Sequence, residues 1–257
     1  MLYEDNQSHR HVKTFFVDMR EKELHPGPWH QSSVEHGTHI LIPIPTGGVV
    51  LVGEAMLCYI IAVAGDKSIQ AVAIQPTAVC AWGFIDADGS RILLGDSKGA
   101  LWVLVLQRDQ AGAVVGMLVD LLGHTTIASS ITYLENGVVY LGSQFGDSQL
   151  IKLRGNADET GSFVEHLESY ANIGPILDMA LVDGARAGNS KLVTCSGAYQ
   201  EGSLRVIRSG IGLHVHASLE IEGIRDMWSL RDTESAAGGF DKFLVQSFTG
   251  ETKVCPQ

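Results

Sequence analysis

The feature that most restricts how this chain can fold is a hairpin that recurs along it. Ser90–Leu106 (SRILLGDSKGALWVLVL) aligns with Gly137–Leu153 (GVVYLGSQFGDSQLIKL) and again with Lys191–Ile207 (KLVTCSGAYQEGSLRVI). Each copy is an apolar strand, a tight turn of Gly, Asp and Ser, and an alternating strand that begins on a small residue. Looser copies start at Val49 and Phe243, and Tyr3 to Val17 reads as one more hairpin, met part-way. From one turn glycine to the next, Gly53 to Gly95 is 42 residues, Gly95 to Gly142 is 47 and Gly142 to Gly197 is 55.

One strand precedes each copy (Val79–Phe84, Ile131–Leu134, Ile176–Val182) and there is room for one after it. Four strands in about 40–55 residues is the size of a β-propeller blade. A lone four-stranded sheet cannot bury both faces, whereas copies stacked side by side cover one another. The spacing therefore predicts an all-β fold of β-propeller blades, each a four-stranded antiparallel sheet. A face-to-face β-sandwich is the competing architecture. Val114–Leu122 and Phe163–Tyr170 could pass for helices, but both are short, uncapped and close to glycine, so strands are expected there. The first and last hairpins are cut, so the ring is expected to be incomplete and the chain to be a piece of a longer protein.

Composition agrees. Apolar residues make up 45% of the chain and there are only 7 Pro, which excludes a disordered or Pro-rich segment. Eighteen Lys+Arg against 29 Asp+Glu give −11, which argues against an extensive phosphate-binding surface. The early residues carry no apolar leader, and the most apolar stretch, Leu41–Gly53, is interrupted by Pro43, Pro45, Gly47 and Gly48. A soluble intracellular protein is expected. Cys58, Cys80, Cys195 and Cys255 form no C-x-x-C pair and three lie in apolar runs, so buried, reduced thiols are expected.

Chemistry-bearing motifs are sparse. Six of the ten histidines lie between His9 and His39, and His-x-His occurs at His9–His11 and His214–His216. Positions i and i+2 of a strand share a face and could ligate a metal, but no acidic or Cys ligand stands at a supporting spacing. Asp86-Ala-Asp88-Gly89-Ser90 resembles the start of a calcium loop, yet its Gly comes too early and Ser97 stands where the closing acid belongs. It reads as a hairpin turn with acidic corners. No P-loop or H-E-x-x-H is present. Neither catalytic residues, metal nor cofactor is expected. Tyr133 beside one turn and Tyr199 inside another are aromatics placed where a propeller has its rim, and exposed Tyr is a preferred anchor for protein partners.

Leu134–Leu153, the Gly174-Pro-Ile-Leu-Asp-Met179 motif and Leu192–Leu213 resemble a family of three-propeller proteins. It comprises the large subunit of the UV-damaged-DNA-binding complex, the large subunit of the cleavage and polyadenylation specificity factor, and a subunit of splicing factor 3b. Arg10-His-Val-Lys-Thr14, Arg20-Glu-Lys-Glu23 and Gly27-Pro-Trp29 extend the match toward the start. The resemblance implies later blades of a first propeller over 1–173, a crossing between propellers over 174–228, and the truncated beginning of a second over 229–257. It implies a non-catalytic adaptor that docks substrate-receptor proteins onto a cullin-4 ubiquitin ligase, in nucleus and cytoplasm and without a membrane. The RNA-processing relatives suggest the alternative of a nucleic-acid-binding propeller. By motif position, Tyr133, Glu135, Asn136, Gln144, Phe145, Pro175, Ala198 and Tyr199 correspond to residues that the family presents to receptors. Gln144 stands where the family pattern has a basic residue and Phe145 where it has Leu.

Overall fold

The computed structural model describes residues 1–63, 66–183, 190–208, 218, 220–231 and 241–256. The chain divides into two compact units, Met1–Ser209 and Gly210–Gln257. No α-helix occurs among the described residues.

The first unit holds five antiparallel sheets, each built from strands consecutive in sequence. The first contains β1 (Leu2–Glu4), β2 (Arg10–Asp18) and β3 (Glu23–Val34). The second contains β4 (Ile40–Pro43), β5 (Val49–Val52), β6 (Met56–Val63) and β7 (Asp66–Ala73). The third contains β8 (Val79–Phe84), β9 (Arg91–Asp96), β10 (Ala100–Arg108) and β11 (Val114–His124). The fourth contains β12 (Ser130–Tyr133), β13 (Val138–Gly142), β14 (Ser148–Leu153) and β15 (Val164–Tyr170). The fifth contains β16 (Ile176–Val182), β17 (Lys191–Ser196) and β18 (Ser203–Arg208). In the second unit, β19 (Ile224–Leu230), β20 (Phe243–Phe248) and β21 (Thr252–Pro256) form one three-stranded sheet. Meanders of this kind are propeller blades, and both doubtful segments, β11 and β15, are strands as expected.

Period-two side-chain alternation explains how the sheets stack. In β9, Ile92 and Leu94 point toward the second sheet, where they join Ile42, Val50, Val52, Leu57 and Tyr59 in one apolar cluster. Leu93, between them, points the other way, into a cluster with Ile131, Val139, Leu141 and Ile151 of the fourth sheet. In β5, Val50 and Val52 face the third sheet while Leu51 meets Val12 and Ile60 toward the first. Both faces of the inner strands are thus covered, and their sequences read as continuous apolar runs rather than as alternation. This is interlocking of neighbouring blades, not a sandwich.

The seam between the fourth and fifth sheets is polar. Thr194 and Ser196 of β17 are buried and their hydroxyls bond each other at 2.8 Å. Arg205 of β18 reaches Asp147 of the preceding sheet at 2.8 Å. On the opposite face of the fifth sheet, Leu204 and Val206 are exposed.

The cysteines depart from expectation. Cys58 is half-buried, and Cys80, Cys195 and Cys255 are exposed. Alternation is again the cause: Cys80 lies between buried Val79 and Ala81, and Cys195 between buried Thr194 and Ser196, so each thiol takes the opposite side of its strand. Partial desolvation pushes the Cys58 thiol up, and does the same, together with the nearby Asp96 charge, to the outward-facing Cys80 thiol.

Candidate functional site

Strand direction sorts the expected partner-binding residues between two ends of the blades. Gln144 and Phe145 lie in the β13–β14 turn, Pro175 precedes β16, and Ala198 and Tyr199 lie in the β17–β18 turn. Backbone hydrogen bonds pull these three loops together. Ala198 N–H donates to the Phe145 carbonyl and Gly197 N–H to the Pro175 carbonyl, both at 2.9 Å. Asn172 fastens the same corner: its side-chain amide donates to the Ser143 and Gly146 carbonyls, and its backbone N–H to Asp147. Asp147 also accepts from Arg205; burial pushes its carboxyl up, but Arg205 and the Asn172 N–H together hold it below the usual range.

On this framework sits an aromatic step. The rings of Phe145 and Tyr199 meet edge to face, centroids 5.3 Å apart at 78°. Tyr199 is 80% exposed, whereas Phe145 is half-buried. Tyr199 holds φ 55°, a left-handed conformation uncommon for an aromatic residue, within a short 3-10 turn, Tyr199–Glu201. Strain of this type persists where the surroundings fix it, here the two N–H bonds at Gly197 and Ala198. The Gly174–Pro175 peptide bond is cis.

Tyr133, Glu135 and Asn136 are elsewhere. Tyr133 ends β12, and Glu135 and Asn136 lie in the β12–β13 turn, at the far end of β13 from Gln144 and Phe145, since Tyr133 pairs with Val139 and Ser130 with Gly142. Four residues of strand separate the ends by about 13 Å. Glu135 and Asn136 are exposed, but Tyr133 is not the free anchor its position beside a turn suggested. It packs on the Val139–Ile151 cluster, and its hydroxyl oxygen accepts the Gly137 N–H at 3.0 Å. Nothing in the spacing reveals that bond.

The remaining motifs are structural. Asp86 takes both ends of the Arg91 guanidinium, at 2.7 and 2.8 Å, within the expected acidic turn. His11 donates to Asp5 at 2.9 Å, and its other ring nitrogen accepts the Ser33 N–H. That leaves no ring nitrogen free to act as base or ligand. His11, followed by the His9 N–H, holds the Asp5 carboxyl down at about 2. His214 and His216 lie outside the described residues. Among the described residues one group, Asp18, Glu21 and His25, places potential metal-ligand atoms within 4.8 Å of one another. It is an open hairpin tip where Asp18 already accepts the Arg20 and Glu21 N–H groups. The sequence reading missed it because the three residues meet only across the turn.

Stacked antiparallel meanders with an aromatic step on a loop rim define an incomplete β-propeller. The chain belongs to the family described as the RSE1/DDB1/CPSF1 first beta-propeller, whose model matches residues 1–194. It is 48% identical over 255 residues to DNA damage-binding protein 1 of Oryza sativa subsp. japonica. It is 47% identical over 256 residues to DNA damage-binding protein 1b of Arabidopsis thaliana and to DNA damage-binding protein 1 of Solanum lycopersicum. These alignments cover 98–99% of the chain, which spans 23% of the length of those relatives.

Proposed function

We propose that the chain contributes blades to a non-catalytic adaptor that docks substrate-receptor proteins onto a cullin-4 ubiquitin ligase, acting in nucleus and cytoplasm in DNA-damage response and protein turnover. Its blades up to residue 173 belong on this reading to a first propeller, 174–228 to the crossing and 229–257 to the beginning of a second. The observation that carries the reading is the Phe145–Tyr199 step: a large aromatic, held out from the surface in a constrained conformation, with Pro175 and Ala198 beside it. Interface hot spots are built from such residues. The cullin contact falls to other parts of the parent protein.

The relatives are named for binding damaged DNA. With a net charge of −11, this chain is poorly suited to track phosphates, so any nucleic acid contact is indirect. The test is a pull-down of receptor subunits from the parent protein with Tyr199→Asp. A charge on the step is expected to reduce capture at least tenfold, through desolvation and lost packing. Unchanged capture of every receptor would show that docking happens elsewhere.

A further inference from the structure

Both ring nitrogens of His39 meet a carbonyl oxygen. The residue ends the loop between β3 and β4, and its backbone N–H donates to the Val52 carbonyl of β5 at 3.0 Å, which ties it to the second sheet. Its Nδ1 lies 2.9 Å from the Gly37 carbonyl oxygen. Its Nε2 lies 2.7 Å from the carbonyl oxygen of Val79, the first residue of β8 in the third sheet. A carbonyl oxygen only accepts, and a neutral imidazole carries one N–H, so only the doubly protonated ring makes both bonds. In the neutral ring, one nitrogen turns a lone pair toward an oxygen. The first contact stays within the loop, whereas the second crosses to another blade. Val79 is buried there in the apolar cluster that joins the second and third sheets.

We infer that His39 is a proton-operated clasp at that seam: with one ring proton it holds one carbonyl, and with two it holds its own loop and the third sheet together. The residue is exposed, so protons reach it without any opening of the fold. The unfolded chain has neither bond, so the second bond favours the protonated folded form. Its contribution is therefore present in mild acid and fades as pH rises through the range, about 6.5, where histidine gives up its second proton. The charged groups around the clasp are Arg10 of β2, which donates to the Thr38 carbonyl, Glu54, whose side chain lies over Gly37, and Glu35, which accepts the Ala55 N–H. On the third sheet stand Asp96 and the Cys80 thiol, which desolvation and that charge push up. Arginine and carboxylates ordinarily titrate far from neutrality. His36 shares the histidine range, and its Nδ1 lies 3.2 Å from the Ser8 carbonyl oxygen. Among the described residues His39 has no ion pair, so its proton acts through the two carbonyls.

The test is amide hydrogen exchange of the whole chain at pH 6 and at pH 8, corrected for the intrinsic pH dependence of exchange, in the wild type, His39→Gln and His36→Gln. Glutamine has one donor nitrogen and no ionisable proton, so it reproduces at most the single-bond state. In the wild type, protection of the Val79, Cys80 and Ala81 amides should be about fivefold higher at pH 6 than at pH 8, the worth of roughly one hydrogen bond. His39→Gln should remove that gain, and His36→Gln should keep it. Both side chains are at the surface, and matching spectra away from residues 35–40 and 77–81 check that each variant is folded. An equal pH response in the wild type and His39→Gln, or a response that disappears with His36→Gln instead, overturns the inference.

Discussion

Asp96, Ser143 and Ser196 stand at the same point of three successive hairpins, where the second strand gives way to the turn. All are buried; Asp96 and Ser143 supply a side-chain oxygen inside the turn, whereas the Ser196 hydroxyl bonds Thr194. Asp96, only 2% exposed, accepts the Lys98 and Ala100 N–H groups at 2.9 and 2.8 Å and the Thr77 hydroxyl at 2.8 Å. Ser143 accepts the Phe145 and Gly146 N–H groups and donates to the Ile127 carbonyl. These side chains satisfy backbone donors that a tight reversal would otherwise strand. Asp96→Ala leaves those donors unpaired and should lower stability by about 3 kcal/mol; Asp96→Asn, which keeps an acceptor, should lose about 1 kcal/mol. Urea midpoints compare the two. Gly99 and Gly112 make a second contrast, since both have positive φ, 78° and 83°. An added Cβ collides with the Thr125 carbonyl at Gly99 but meets open space at Gly112. Gly112→Ala should cost about 1 kcal/mol, the backbone penalty alone, and Gly99→Ala clearly more. Equal losses would mean that the Thr125 loop yields freely.

At the scale of elements, the strands and turns were legible because hairpin chemistry is local: a small turn residue and an alternating return strand lie within one stretch of chain. How the strands face each other was legible only in part. Leu93 and Leu94 look alike in sequence yet serve different seams, and the thiols of Cys80 and Cys195 fall on the open side of strands that look buried throughout. The candidate site divides in the same way. Tyr199 lies within its turn, and its exposure follows from that. Tyr133 lies at a strand end, where the hydroxyl finds the Gly137 N–H and the ring finds the core, an outcome decided by tertiary packing. The clamp joining Asp147, Asn172 and Arg205 was not visible, because its members lie up to 58 residues apart. Its pH dependence follows from its chemistry. The Asp147 carboxyl is held down in the folded state, so its stabilisation is present at neutral pH and fades as pH falls below about 4. Asp147→Asn should be less stable by about 1 kcal/mol at pH 7, after allowance for its partial exposure. Chemical denaturation across pH should show that gap closing on acidification; a constant gap would assign the loss to packing.

For the whole molecule, the described sheets of the first unit form a series in which each apolar cluster joins one blade to the next. A series coupled only through neighbours need not lose all its structure at once. Leu93 serves the seam with the fourth sheet and Ile92 the seam with the second, although they are adjacent and each is fully buried. Leu93→Ala should destabilise by about 3 kcal/mol, and Ile92→Ala by a similar amount. Hydrogen exchange should separate them: Leu93→Ala speeds exchange mainly in β12–β14, and Ile92→Ala mainly in β5 and β6. Identical exchange patterns would mean that the series melts as one body. The polar seam beyond the fourth sheet has a different consequence. Apolar contacts tolerate a slight slide, whereas bonds such as Arg205 to Asp147 fix direction and register, so the last blade is keyed in orientation rather than merely adhered. A surface that spans that joint, as the Phe145–Tyr199 step does, inherits the keying: its shape holds only while both halves are locked, and a visitor that grips it reads whether the joint is intact.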